Sequence, residues 1–445
     1  MDLGTSAARL SGWGRHPVLD GHMVRPERYG DLDRLPGALA RGLGRSYGDA
    51  ALRRDGTLCS MLRLNRMLSF DPATGVLVAE AGLSLAEIAS CFLPRGWFLP
   101  VTPGTKFVTL GGAVAADVHG KNHHLDGCIS EHVPWLELFT PGQGMRRCGP
   151  DEDPELFWAT AGGLGLTGII GTVALRLKPV PGPWLKVVHH PARDLDQILE
   201  LFSDPALDAP YSVAWIDCLA RGARLGRSVL MLGRHVEGGD PAPPFPLTPR
   251  VDLPCDLPAF CLGSFNVRLF NEAYYRLNAG KTQPFRSGLD PFFYPLDAVG
   301  YWNKAYGSRG FVQYQCVLPE DETRKGMRRI LEAISSAGAA SFLAVLKKLG
   351  GQGRGFLSFP RPGFTLALDM PFRGKATLAL LGHLDQLVLE HGGRVNLCKD
   401  AHLGRESFQA MYPRLSRWLA VKRRVDPEGR LASSLSARLG LTEGP

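Results

Sequence analysis

The rhythm of hydrophobic and polar positions changes once along this 445-residue chain. Through the first 180 residues, short apolar runs are cut repeatedly by glycine, which predicts short strands interleaved with short helices. Runs 67–70 and 76–80 flank the turn Asp71-Pro72-Ala73-Thr74-Gly75 and predict a hairpin. Ser84 followed by Glu87 has capping-box spacing and opens a helix to about Pro94. Asp153 before Pro154 starts a second helix, through Trp158. Strands are expected at 133–139 and 169–177, the second with Val173, Leu175 and Leu177 inward and Thr172, Arg176 and Lys178 outward.

The texture changes at Pro179-Val180-Pro181-Gly182-Pro183, which places a domain boundary near residue 180. Strand-like runs follow at 211–219, 227–235, 311–317, 340–348 and 364–370, with helical runs at 194–203, 321–337, 375–391 and 406–424. That mixture predicts an α+β domain, an antiparallel sheet with helices packed on one face. Residues 240–262 carry six prolines between Pro241 and Pro254, the mark of a lid, a binding surface or a disordered loop.

Composition narrows the options. Hydrophobic residues make up 44% and charged residues 21%, ordinary for a packed protein long enough for two domains. The nine cysteines are scattered without a C-x-x-C pair, which suits reduced thiols in a cytosolic protein better than a disulfide framework or zinc site. The N-terminal stretch lacks the apolar core of a secretory signal. No run approaches the ~18 apolar residues of a membrane span. The net charge is +8, and residues 402–445 hold eight Lys/Arg against four acids, half of the excess. A solvated helix face explains this, as does affinity for a phosphate-bearing substrate or anionic lipid. Nucleic acid is not expected as a partner, because no aromatic-interleaved basic strand accompanies the charge.

Three glycine-rich segments carry the candidate chemistry. In Ala40-Arg-Gly-Leu-Gly-Arg-Ser-Tyr-Gly-Asp49, Gly42, Gly44 and Gly48 leave main-chain N–H groups open to a pyrophosphate, although a plain tight turn reads the same way. Gly163-Leu-Gly-Leu-Thr-Gly168 matches G-x-G-x-x-G, but a helix precedes it and a strand follows, the reverse of the Rossmann order. The third segment runs from Thr102-Pro-Gly-Thr105 through Gly111-Gly112 to His119-Gly-Lys-Asn-His-His124. Its small residues let a flat ring or second backbone approach. Polar groups then crowd 117–124. His119, His123 and His124 raise the question of a metal, but no acid or cysteine completes a ligand set, and none is expected.

These segments, in this order, resemble the FAD-binding (PCMH-type) fold of the vanillyl-alcohol-oxidase class, and more narrowly the decaprenylphosphoryl-β-D-ribose 2′-oxidase family. The strings that carry the resemblance are GRSYGD (44–49), TPGT (102–105), GGAVAADVHGKNHH (111–124), ELFWATAGGLGLTGII (155–170), GFVQYQCVLP (310–319), SFLAVLKKLG (341–350), AMYPR (410–414) and RWLAVKRRVDPEGRLASSLSARLGL (417–441). The resemblance implies a two-subdomain FAD-binding domain over 1–180, an α+β cap domain over 181–400 and a C-terminal segment, 401–445, that returns to the FAD domain. FAD's pyrophosphate would lie on Arg41, Gly42, Leu43, Gly44, Arg45, Ser46, Tyr47, Gly48 and Asp49. Gly104, Thr109, Leu110, Gly111 and Gly112 would continue the site, with Ala116, Asp117, Val118 and His119 and the backbone of Ile169 and Ile170. Many members of the superfamily attach FAD through a histidine in the first glycine loop. This chain has none there, so non-covalent FAD is implied.

Oxidation of a secondary alcohol by flavin needs a hydride acceptor, removal of the hydroxyl proton, and donors or positive charge around the cofactor. Lys399 matches the family's lysine at the flavin and substrate and is the first catalytic candidate, with Tyr47 and His119 beside it. Lys121, Gln313, Gln315 and Lys347 are implied substrate contacts. Which group takes the proton is left open by the sequence. Ala367 stands where mycobacterial members have a pocket cysteine, which changes the shape of the sugar pocket and leaves thiol-directed inhibitors no target at that position. The implied reaction is oxidation at C2 of a polyprenylphosphoryl-β-D-ribose, with a nicotinamide-dependent keto-sugar reductase as partner. The implied setting is the cytoplasm, with the basic C-terminal helix and proline-rich loop as points of contact with the inner membrane. A sugar-alcohol or aldonolactone oxidase is the alternative within the fold. A non-catalytic flavin-binding or membrane-surface protein is the alternative outside it.

Overall fold

The computed structural model describes residues 4–238, 244–339 and 341–442. The start of the proline-rich loop, at 240–243, and residue 340 of the expected strand 340–348 lie outside the described residues. Three sheets set the architecture. The first is four-stranded and mixed: Ser6–Ser11, Val18–Val24, Thr57–Ser60 and Leu39–Arg41, the last feeding directly into the first glycine loop. The second is antiparallel and five-stranded, ordered Met67–Asp71, Val76–Glu80, Ile169–Arg176, Trp135–Thr140, Gly144–Cys148. It contains the expected hairpin. The helix Leu85–Phe92 begins as expected, with Ser84 accepting from the Glu87 N–H and Glu87 reaching back to the Ser84 N–H.

The third sheet has eight strands joined by antiparallel pairs. Its order is Phe285–Gly288, Trp184–Ala192, Ser228–Val236, Tyr211–Ile216, Ala344–Leu349, Gly363–Pro371, Phe311–Leu318 and Arg394–Val395. Side chains on a strand alternate between its two faces, and here each face has its own task. Along Phe311–Leu318, Gln313 and Gln315 line a cavity, while Tyr314 turns away and donates to Asp385 at 3.1 Å on the helix Lys375–Glu390. The neighbouring strand repeats this, with Ala367 on the cavity and Phe364 against Phe202 of the helix Leu195–Ser203. Asp196 of that helix accepts from Arg328 of the helix Glu320–Ser336 at 3.0 Å. Three helices thus cover the outer face.

Two corrections follow. The single helix expected at 406–424 is two, Arg405–Met411 and Leu415–Val425, because Pro413 has no N–H to continue the ladder. Helices also occur on both faces of the large sheet. Ser264–Ala279 packs on the cavity side, where its Tyr274 meets Trp215 at 4.7 Å between ring centroids.

The chain then comes back to its beginning. Trp418 Nε1 donates to the Ala159 carbonyl at 3.0 Å, and the Ser434 N–H to that of Leu52 at 2.7 Å. Arg438 bridges Asp49 and Asp400 at 2.8 and 2.9 Å. Lys422 is buried and donates to the carbonyls of Leu166 and Leu431, each at 2.8 Å, and to Asp426. Of the eight C-terminal cations, Arg414, Arg417, Lys422, Arg424, Arg430 and Arg438 are bonded to carbonyls or carboxylates of the protein itself. This segment is therefore a fastening, and little of its charge faces solvent unpaired.

Removing one partner of a buried ion pair strands the other, at a cost of about 3–5 kcal/mol. Lys422→Met is expected to lower stability by about that amount, read as a fall in the chemical unfolding midpoint. Arg423→Met, an exposed neighbour, should leave the midpoint unchanged.

Candidate active site

A cavity of about 540 Å³ lies between the glycine-rich segments and the inner face of the eight-stranded sheet. The first loop is fixed from behind: the Trp13 N–H donates to the Ser46 carbonyl at 2.7 Å, and the Tyr47 N–H to the Cys398 carbonyl at 3.0 Å. Gly42 packs against Thr109, where a Cβ would collide with Oγ1, and Gly44 has φ +66°, a conformation that suits glycine. Thr109 caps the short helix Leu110–Ala115, accepting from the Gly112 N–H at 3.3 Å. Gly111, Gly112, Ala113, Ala115 and Ala116 make a wall nearly without side chains. A Cβ on Gly104 would meet nothing within 4 Å, so the cavity has room beside it.

Most of the expected site residues converge here. Gly42, Leu43, Gly44, Arg45, Ser46 and Tyr47 line the cavity from the first loop. Gly104, Thr109, Gly111, Gly112, Ala116, Val118, His119, Lys121 and Ile170 line it from the later segments, and Gln313, Gln315, Lys347 and Lys399 from the cap. Six others sit behind the wall. Arg41 donates to the carbonyls of Ala51 and Ser11. Gly48 abuts the Asp400 carbonyl, and Asp49 is held by Arg438. Leu110 and Ile169 are core residues. Asp117 accepts from the Ser130 N–H at 3.3 Å and from the Ser358 hydroxyl. The G-x-G-x-x-G stretch lies between the helix Pro154–Thr160 and the strand Ile169–Arg176, as expected, and places Leu164, Gly165 and Gly168 on the cavity.

The polar centre is a network of buried amides. Gln315 Nε2 meets His119 Nε2 at 3.1 Å and Thr365 Oγ1 at 3.1 Å, while its Oε1 accepts from Asn396 at 3.0 Å. Gln313 donates to Asp369 at 2.6 Å. Lys399 Nζ sits 4.1 Å from the centre of the Tyr47 ring. Thr365, Asp369 and Asn396 were not among the expected residues. Thr365 and Asp369 share the two-residue alternation of Ala367, and Asn396 lies three positions before Lys399, so the pattern was there to be read.

Burial drives the electrostatics. Desolvation lowers Lys121 to about 7, and Lys347 and Lys399 to about 8, with the charge of Lys347 adding to the first effect and that of Lys399 to the second. Desolvation and the two nearby ammoniums Lys347 and Lys399 hold His119 well below its ordinary value, so it is a neutral imidazole. Burial raises Asp369 to about 7 and keeps Tyr47 protonated. The three histidines diverge: His119 meets Gln315, His123 accepts from the Gly350 N–H at 3.1 Å, and His124 meets the Ala209 carbonyl at 3.0 Å. Among the described residues, no group of three His, Cys, Asp or Glu side chains is placed to hold a metal.

The residues fit FAD. The side-chain-poor wall accepts a flat ring, and the first loop leads from a strand end as pyrophosphate cradles do. Arg45, stacked on Trp13 at 3.8 Å, keeps a buried Nε without a partner, a donor suited to an anion. Sequence comparison agrees with the geometry. Residues 37–149 match the FAD binding domain family, and residues 369–439 match the D-arabinono-1,4-lactone oxidase family. The protein is an FAD-dependent oxidoreductase with an α+β fold. It is 37% identical to decaprenylphosphoryl-beta-D-ribose oxidase of Mycolicibacterium smegmatis, over 98% of each chain. It thus belongs to the decaprenylphosphoryl-β-D-ribose oxidase family. An uncharacterized protein in the mprA 5′ region of Streptomyces coelicolor is 34% identical over 81% of this chain and 100% of its own. Delta(24)-sterol reductase of Rattus norvegicus is 26% identical over 32% of this chain and 28% of its own.

Lys347 has a measurable signature. Between about 8 and the ordinary lysine range the unfolded chain holds a proton that the folded protein lacks, so raising pH through that window stabilises the fold. Lys347→Met is expected to stabilise the substrate-free protein at pH 7 by roughly 3 kcal/mol, read as a higher unfolding temperature, and to flatten the rise of that temperature towards pH 9. Calorimetric melts at the two pH values check both.

Proposed function

We propose that the protein oxidises the C2 hydroxyl of a polyprenylphosphoryl-β-D-ribose to the 2-keto sugar, the first half of an epimerisation to the arabinose. The observation that carries this is the set of three half-buried lysines, Lys121, Lys347 and Lys399, lining one cavity with a side-chain-poor cofactor wall. A neutral polyol gives no reason for so much desolvated positive charge, whereas a phosphodiester does. The relative from Mycolicibacterium smegmatis is named for a substrate of this kind.

FAD, when bound non-covalently, supplies the acceptor for the hydride that leaves C2. The chain's own groups do the rest. Lys121 and Lys347 hold the phosphate, and ligand charge restores their protonation. Gln313, fixed by Asp369, donates its second amide N–H to a sugar hydroxyl, while Gln315, engaged by His119, Thr365 and Asn396, shapes the pocket beside it. Lys399 in its neutral form takes the hydroxyl proton as the C2 carbonyl forms. Tyr47 is a neutral donor that orients the substrate, and His119 holds Gln315. Residues 1–180 serve as the FAD domain, 181–400 as the cap and 401–445 as its fastening. The keto sugar is then returned as the epimer by a separate nicotinamide-dependent reductase. The placement is cytoplasmic, at the inner face of the membrane. No helix among the described residues is long and apolar enough to cross a membrane.

The match of residues 369–439 to the lactone oxidase family favours one second reading, oxidation of a soluble aldonolactone. Anaerobic mixing with farnesylphosphoryl ribose, following the flavin absorption, separates the two. Rapid bleaching is expected with the phosphoryl sugar and none with D-arabinono-1,4-lactone; the opposite result overturns the proposal. The rate should rise with pH through about 8 as Lys399 loses its proton. Lys399→Ala should keep its yellow colour, lose the pH dependence and slow by roughly 10²–10⁴-fold.

A further inference from the structure

Among the described residues, eight of the fourteen exposed large hydrophobic side chains fall between Leu247 and Tyr301. Their centre is the sixteen-residue helix Ser264–Ala279. Its inward positions are Val267, Asn271, Tyr274 and Asn278, the i, i+4, i+7, i+11 stripe of a buried face, and Tyr274 and Asn278 line the cavity. A second strip, four residues apart, faces outward: Phe265 (80% exposed), Leu269 (63%), Ala273 and Leu277 (71%), with Phe260 (71%) just ahead of the helix. An exposed phenylalanine needs no explanation singly. A strip of this kind on a helix whose other face lines the active cavity does.

We propose that this strip seats the protein on an anionic bilayer surface, so that a lipid-linked substrate presents its head group to the cavity while its chain stays in the membrane. This rests on the polyprenylphosphoryl reading above. Two features favour a bilayer as the occupant. The first is charge. Arg268, Arg276 and Lys281 accompany the strip against one acid, Glu272, which is already engaged by Arg227 and Arg276. Arg268 and Arg276 each precede an apolar member, Leu269 and Leu277, by one residue and so lie on a single flank. The second is continuity. Phe270, exposed and next in sequence to Leu269 of the strip, stacks on Tyr274 at 5.9 Å, and Tyr274 meets Trp215 of the cavity wall at 4.7 Å, an aromatic path from the helix surface beside the strip to the site. Leu262, beside the helix, packs on the cluster of Tyr47, Trp302, Tyr306 and Phe311.

The test uses the holoenzyme and F265S/L269S, whose side chains are exposed, with M67S/L68S on the exposed edge strand Met67–Asp71 of the five-stranded sheet as the control. Each protein is sedimented with vesicles of phosphatidylglycerol and phosphatidylcholine, and with phosphatidylcholine alone. Wild type and control are expected to bind the anionic vesicles, less so at high salt, and F265S/L269S at least about tenfold more weakly. With polyprenylphosphoryl ribose embedded in those vesicles, F265S/L269S should lose turnover by a similar factor while oxidising dispersed farnesylphosphoryl ribose at the wild-type rate. Equal vesicle binding by wild type and F265S/L269S overturns the inference. So does a wild-type dimer that F265S/L269S dissociates while neither binds vesicles, since the strip then joins two copies. Vesicle binding that depends on the strip, with no oxidation of either phosphoryl sugar by wild type, leaves the docking surface standing and sinks the substrate reading alone.

Discussion

Lysine ammoniums are strongly hydrated, and a fold that buries several on one cavity must hold them there against their own desolvation and mutual repulsion. Lys106 shows the usual solution: it is buried and is ion-paired with Asp290. Lys121, Lys347 and Lys399 have no carboxylate within ion-pair distance among the described residues. Lys121 rests on the Phe292 and Phe293 carbonyls, and Lys399 on the face of Tyr47. Rigid surroundings make this tolerable. The large sheet fixes Lys347, the return of the chain at Cys398 to the first glycine loop fixes Lys399, and the polar turn after the small-residue helix fixes Lys121. Without such a partner all three are held below the ordinary lysine value.

The sheet converts strand alternation into a division of labour. Gln313 and Gln315 face the cavity while Tyr314 and Cys316 belong to the helix-covered side, so a shift of one residue in register would exchange the amide network for apolar groups. The buried Tyr314–Asp385 bond and the helices behind it oppose that shift. Stability on one face thus sets the accuracy of the other.

Features set by local chemistry were legible in the sequence. The Ser84–Glu87 box, the turn at Asp71–Gly75 and the Asp153–Pro154 helix start depend on a few adjacent residues and appear where expected. The glycine segments were legible because close approach leaves few alternatives to glycine and alanine. The strand Trp184–Ala192 was not: His189, His190 and Pro191 break its apolar alternation, and its burial comes from strands 36 residues away in sequence or more. The helix Ser264–Ala279 was hidden for a different reason. Apolar residues lie on both its faces, so no single stripe stands out. Six of the assigned cofactor residues lie behind the cavity wall, since adjacency in a loop does not say which side chains face in. The six engaged C-terminal cations were likewise invisible, because their partners are up to 389 positions away.

The return of the C-terminal segment also orders events in time. Every strand of the large sheet has been synthesised by Val395, so that sheet can assemble as a contiguous stretch. The loop around Asp49, translated far earlier, gains its bridge to Arg438 only after the last strand of that sheet has been made. The first glycine loop is thus pinned later than the sheet it faces, and a chain interrupted before Arg438 would keep every strand of that sheet and lose the ion pair behind Asp49.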